Sequence, residues 1–554
     1  DGKVKVEIPP TTMATGQRLQ LEGATTFDEF GPAVAGHNLE VDPPSLNDLR
    51  PDWVRVGDAL VASGISLPEP PLRIVRHVCD RMRGLSWKGR VVVAGERNRV
   101  GIVTVLPSSA PMLALAFDIG TTKIAGYLVD LDSGRTLARA GVVNPQIVFG
   151  EDVVSRIAHA NRDPGSEALL RSRLLDALND LARHLTVGYG DPSECIVDAV
   201  VVGNTAMHHF FAGLSVRQLG VAPYVPVTSS SHTEPAGELG LSFCPGASVY
   251  LPPNVAGYVG ADHVSMLVAA DILTRSGSVL ALDIGTNTEI SLKLGERLLS
   301  CSCASGPAFE GAHIRDGMRA VPGAVEHVRV SGDVFHVQTI ESAPPVGICG
   351  SGILDAVAAM LEAGVVDKRG RFHGAHPSVR RRNGEPEFVL VAAETTGHGH
   401  DIVVTSRDVV EIQLAKGAIR AGIEILCRHA GIKSDELDTL VVAGAFGTYL
   451  DPSSAIRIGM FPSLPEHRIE QIGNAAGTGA VRMLRFGAER QTARSIGERS
   501  EYIELTTHPD FADVFTDELF FDAALGEESV TVAGSGGGSS NVTRNTPPSA
   551  TNLR

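Results

Sequence analysis

The sequence predicts an α/β protein assembled from two related lobes, and three observations carry that reading. A near-repeat sets Ala116-Phe117-Asp118-Ile119-Gly120-Thr121-Thr122 beside Ala281-Leu282-Asp283-Ile284-Gly285-Thr286-Asn287, as two copies of one structural unit would. From Met112 onward, short β-branched apolar runs ending in Gly alternate with amphipathic stretches such as Ala168 to Leu185 and Val409 to Ala430, the pattern of strands feeding helices. A chain of 554 residues also exceeds what one hydrophobic core supports.

The chain divides in order. Residues 1–30 read as a linker, with Val4 to Pro9 alternating like an edge strand until Pro10 breaks it. Without an initiator methionine the chain is expected to begin inside a longer gene product. Residues 31–110 read as a small α/β middle domain: turns at Asp42-Pro43-Pro44 and Pro68 to Pro71 accompany a helix from Leu72 to Met82 and a strand over Arg90 to Val93. Residues 111–527 hold the two lobes. Residues 528–554 are expected to be a flexible tail, Gly- and Ser-rich from Gly534, in which the sequon Asn541-Val542-Thr543 is a chance match.

Composition narrows the function. A net charge of −16 disfavours nucleic acid as a partner, and the largest basic run, Arg380-Arg381-Arg382, reads as a solvated loop. No apolar run reaches the roughly 18 residues of a membrane helix, and no signal-peptide pattern opens the chain. Seven scattered cysteines fit a reducing, cytoplasmic compartment. The close pair Cys301 and Cys303 lacks the spacing of an iron–sulfur site and reads as free thiols in a packed loop.

The repeated motif has a chemical logic. In each copy a strand ends in Asp, a Gly follows, then hydroxyl or amide residues, then a returning strand. Gly120 and Gly285 let backbone N–H groups approach phosphate oxygens, while Thr121, Thr122, Thr286 and Asn287 add donors. Asp118 and Asp283 are expected to hold Mg²⁺ through water, and Lys123 to offset developing phosphoryl charge. Two such hairpins face to face would clamp one triphosphate. Each lobe adds a second strand-to-glycine element, Gly203-Asn204 in the first and Gly444-Ala445-Phe446-Gly447 in the second. Gly473 and Gly477 complete an expected nucleoside cradle. His208 and His209, being adjacent, cannot share a helix face and read as packing and capping residues, not metal ligands.

This order of motifs resembles the actin/sugar-kinase/Hsp70 (ASKHA) ATPase superfamily over roughly residues 112 to 525. Four further segments, Pro252 to Asp262, Ala304 to Gly311, Gly317 to Ala320 and Gly347 to Gly352, resemble the ATP-dependent reductive activators of corrinoid proteins. The resemblance implies a two-lobed actin-like (ribonuclease H-like) ATPase module preceded by a linker and the small middle domain. It implies ATP and Mg²⁺ as cofactors and conversion of a Co(II) corrinoid to Co(I). The partner would be a corrinoid (cobalamin) protein of a methyltransferase or O-demethylase system, and a homodimer is one assembly in view. Electrons in the family come from an N-terminal 2Fe-2S ferredoxin domain that this sequence lacks. Ser305 and Glu310, just beyond the second hairpin, are expected to contact the partner; a lobe–lobe hinge is the competing role for that loop. A small-molecule kinase, an acyl-CoA dehydratase activator and a chaperone-like ATPase remain as rivals.

Overall fold

The computed structural model describes residues 31–96, 99–163 and 165–521; the expected linker, its strand at Val4 to Pro9 and the tail from 528 lie outside them. Strands β1 (Val34–Glu40), β2 (Lys88–Glu96) and β3 (Arg99–Leu106) form an antiparallel sheet with β2 in the middle. The period of two along β2 sorts its valines. Val91 and Val93 join the helices Asp52–Ala62 and Leu72–Gly84 in a small core with Trp87, whereas Val92 joins the core of the next unit. Arg90 reinforces that junction by gripping both carboxylate oxygens of Asp132.

The first lobe is a six-stranded sheet. It comprises β4 (Leu113–Ile119), β5 (Lys123–Asp130), β6 (Thr136–Val143), β7 (Ile196–Gly203), β8 (His232–Pro235) and β9 (Ser248–Leu251), in the spatial order β6-β5-β4-β7-β9-β8. Inner strand β7 is buried along its whole length and apolar but for Asp198, which pairs with buried Arg490, whereas edge-strand β6 is partly exposed, as strands covered on both faces require. The helix Ser166–Leu185 lays Leu170, Leu174, Leu178, Leu181 and Leu185 against this core at helical spacing.

The second lobe repeats the plan. Strands β10 (Ser278–Ile284), β11 (Thr288–Leu294) and β12 (Arg297–Cys303) form its meander. An excursion then builds two small sheets, β13 (Ala324–Ser331), β14 (Val334–Thr339) and β15 (Gly347–Ile348), then β16 (Val379–Arg382), β17 (Glu385–Val391) and β18 (Ile402–Thr405). The long helix Ser406–Ala430, opened by a Thr405–Asp408 capping box, leads back to β19 (Thr439–Ala443), β20 (Ile469–Gln471) and β21 (Ser500–Tyr502). The resulting order is β20-β19-β10-β11-β12-β21. In both lobes two antiparallel hairpins run outward from the motif strand while parallel strands extend the other side. The sequence repeat is therefore a structural one.

Two sequence expectations change. Arg380 to Arg382 form strand β16, exposed as charge suggests but paired with β17 instead of looped, and Arg380 pairs with Glu387 of β17 and with Asp401. Cys301 and Cys303 also lie on a strand, β12, and both face the second lobe's core because they are two residues apart. Between the sheets, the helices Ala261–Ala269 and Ala475–Arg485 meet at Gly479, where a Cβ would fall 1.9 Å from the Ser265 carbonyl.

Candidate functional site: a cleft between two phosphate hairpins

Strand register defines each turn. Between the paired Ile119 and Ile124 lie Gly120, Thr121, Thr122 and Lys123; between the paired Ile284 and Thr288 lie only Gly285, Thr286 and Asn287. A Cβ on Gly120 would sit 2.7 Å from the Lys123 carbonyl oxygen, so this turn closes only with glycine. Asn144, at the end of β6, braces it from behind: its Nδ2 donates to the Gly120 carbonyl at 2.9 Å and its backbone N–H to that of Thr122 at 2.9 Å. Asn204 caps the helix Thr205–Ala212 through the Met207 N–H and donates from Nδ2 to the Thr121 hydroxyl at 3.1 Å. Gly203 passes so close to β4 that a Cβ would meet the Ile119 carbonyl at 2.8 Å.

The second turn is held from its other side. The Ser305 hydroxyl donates toward the Gly285 and Thr286 carbonyls at 3.2 and 3.3 Å and lies 2.9 Å from the Thr288 hydroxyl. The Gly306 N–H reaches the Thr286 carbonyl at 3.0 Å, and the Thr286 hydroxyl donates to Glu310. Ser305 is buried, its hydroxyl turned inward, so of the two residues expected to meet a partner only Glu310 is exposed.

Gly444, at φ 92°, lies against this turn; a Cβ there would sit 2.9 Å from Asp283 Oδ1. Its N–H donates to the carbonyl of Gly473, itself at φ 69°. The short helix Ala445–Tyr449 follows, with Phe446 stacked on Phe309 at 4.6 Å and the Gly447 carbonyl held by Gln471. Gly477 lies buried inside the helix Ala475–Arg485, where a Cβ would meet the Tyr127 hydroxyl at 2.4 Å; its missing side chain lets that helix pack against β5.

Four carboxylates converge here: Asp118 and Asp283 from the hairpins, Glu289 directly across β11 from Asp283, and Asp262 from the helix Ala261–Ala269. They line a cleft that solvent still touches, yet each is otherwise enclosed by protein. Burial pushes Asp118 up to about 6, with a hydrogen bond from Asn474 offsetting part of the rise. Burial and then the Asp118 charge bring Asp283 to about 7. Burial with the charges of Asp283 and Asp118 brings Asp262 to about 8, and Glu289 is driven well above the carboxylate range by burial and by Asp262 and Asp283. Mutually repelling carboxylates are what a divalent cation relieves. Among the described residues no three acidic, His or Cys side chains converge tightly enough to ligate a metal directly. Lys123, shifted down by burial and by Arg319 and back up by Glu310, brings positive charge to the same cleft.

Sequence reasoning missed Asp262, Glu289, Asn474 and Tyr127 as members of this site. Asn474 caps its helix through the Gly477 N–H and donates to the Tyr127 hydroxyl at 3.1 Å, tying that helix to β5. Glu289, placed next to the second turn at the start of a largely buried strand, was the available signal. His209 spends both ring nitrogens internally, Nδ1 donating to the Thr205 carbonyl and Nε2 accepting from the Val227 N–H. His208 is buried and held neutral, its pKa pushed down by burial to about 3.

Fold and site together define a two-lobed, actin-like nucleotide-binding module. Family models match consecutively: the RACo linker region over residues 28–110, the RACo middle region over 113–275, and the C-terminal ASKHA domain of RACo over 277–529. The corrinoid activation enzyme RamQ of Eubacterium limosum is 35% identical over 444 residues, 78% of this chain and 74% of that protein. The Co(II) methylated amine-specific corrinoid protein reductase of Methanosarcina barkeri is 27% identical over 402 residues, 66% of this chain and 68% of its own length. A solved reductive activator for a corrinoid, iron–sulfur protein superposes with a TM-score of 0.79 at 32% identity, covering 91% of this chain and 81% of that one. The chain belongs to the RACo family of reductive activators of corrinoid proteins. Among the described residues no helix is long and apolar enough to cross a membrane.

Proposed function

We propose that the chain binds and hydrolyses Mg²⁺-ATP between its two hairpins and uses that cycle to return a partner's corrinoid from Co(II) to Co(I). The observation that carries the reading is the meeting of two phosphate-type turns over four cation-starved carboxylates. Mg²⁺, when bound, supplies charge neutralisation at the phosphates. Asp118 and Asp283 orient its water shell, Glu289 and Asp262 deepen the negative field that holds it, and Thr121, Thr122, Thr286 and Asn287 donate to phosphate oxygens. Lys123 meets the charge that develops on the transferred phosphoryl group. Gly444 to Gly447 with Gly473 line the nucleoside. In this division residues 31–110 form an accessory unit and 111–527 the ATPase.

The reduction is a one-electron transfer to cobalt from a 2Fe-2S donor, and the nucleotide contributes only through a difference in partner affinity between open and closed lobes. Seven unpaired cysteines suit a cytoplasmic setting. A titration tests the coupling: a Co(II) corrinoid protein should bind with an affinity that changes when an ATP analogue is present, and by linkage analogue affinity should change by the same factor. Binding of no corrinoid protein in any nucleotide state, with phosphorylation of a small metabolite instead, would replace this reading with a kinase.

A further inference from the structure

Beyond the second hairpin, the turn Pro307–Glu310 is bounded by Gly306 at φ 77° and Gly311 at φ 79°. It leans on the hairpin through the Gly306 N–H and ends with the Glu310 carboxylate accepting the Thr286 hydroxyl. A hydroxyl donates one proton. Thr286 can give it to Glu310 or to a phosphate oxygen, and not to both. The carboxylate also acts on Lys123 across the cleft, raising that amine's proton affinity against burial and the Arg319 charge. It therefore stands in the field that the anionic part of a nucleotide would enter.

We propose that Glu310 competes with nucleotide phosphate for the Thr286 hydroxyl and is displaced when a nucleoside di- or triphosphate occupies the cleft. This rests on the nucleotide reading above and adds how occupancy is sensed. Two anions sharing one donor repel, and Glu310, already exposed, has solvent to move into. Its neighbour Phe309 is stacked on Phe446 of the nucleoside segment at 4.6 Å with the rings 13° from parallel. The turn is therefore anchored at the nucleoside end and released at the phosphate end. Phosphate occupancy then shifts the segment 307–311 between an inward and an outward position, and Glu310 acts as a positioning residue through Thr286.

The test compares nucleotides with and without phosphates. Calorimetric titration of the full chain and of Glu310→Gln and Glu310→Ala with a non-hydrolysable ATP analogue and with adenosine separates competition from structural damage. Removing the charge should tighten the analogue by roughly tenfold and leave adenosine unchanged. If Glu310→Ala fails to fold, Glu310→Gln carries the test, since its amide oxygen still accepts from Thr286 without the charge. Analogue binding equal to or weaker than wild type in the folded variants would overturn the competition. A wild-type chain that binds neither ligand would overturn the nucleotide reading and this inference with it.

Discussion

Where the first phosphate hairpin carries a cation, the second carries an extra carboxylate. The first turn is a residue longer, the last of its four residues is Lys123, and Ala125 stands opposite Asp118. In the second, Glu289 stands opposite Asp283 and the turn is three residues long. Two copies of one hairpin have thus taken up opposite electrostatic tasks. On the proposed function the first would supply charge that attracts phosphate, and the second would concentrate charge that repels it until a divalent cation arrives.

The comparison can be broken in graded steps. Asp118→Asn and Asp283→Asn each remove a charge that orients the metal's water shell, and ATP hydrolysis should fall by roughly 10² or more in steady-state assays. Wild-type turnover in both would dissociate the hairpins from the chemistry. Lys123→Ala touches the first lobe only and should lower kcat by about tenfold with little change in the Mg²⁺ concentration needed. A shifted Mg²⁺ requirement would assign the lysine to the metal instead of the phosphates.

The second lobe's excess carboxylate should be visible in stability against pH. Asp118, Asp283 and Asp262 have folded-state values of about 6, 7 and 8, above the roughly 4 of an unfolded carboxylate. The folded state therefore holds protons that the unfolded state has released. Stability from this source is complete below about pH 4 and is lost as pH rises through 6 to 8. Metal-free protein should show a falling melting temperature over that window, Mg²⁺-nucleotide should restore it, and Glu289→Gln should make the fall shallower. A profile unaffected by Glu289→Gln would remove that residue from the cluster.

The hairpins were legible in the sequence because their signal is local. An apolar strand, an Asp, a Gly and hydroxyl residues within seven positions dictate turn and chemistry together. The repeat then gave the two-lobed architecture, and Ser166–Leu185 and Ser406–Ala430 were readable as helices from their spacing. Asn474, Tyr127 and Asp262 were not legible as site residues, since they reach it through packing between lobes and depend on no local pattern. The packing contact of Gly477 was not legible for the same reason. Its glycine makes room for Tyr127 of β5, which lies hundreds of positions earlier, and close approach of a helix to a strand looks the same in sequence as a loop around a ligand. The arginines of β16 misled because the strand they pair with, β17, and the acidic partners of Arg380, Glu387 and Asp401, lie outside the run itself.

The central claim is that nucleotide held by both hairpins drives the reduction of a partner's cobalt. Its most direct measurement follows the absorbance of Co(I) in a mixture of this chain, a Co(II) corrinoid protein and a 2Fe-2S electron donor, with ATP present or withheld. The account predicts Co(I) only with ATP and wild-type protein, and its near-complete loss with Asp283→Asn. Equal Co(I) formation without ATP, or with Asp283→Asn, would contradict it.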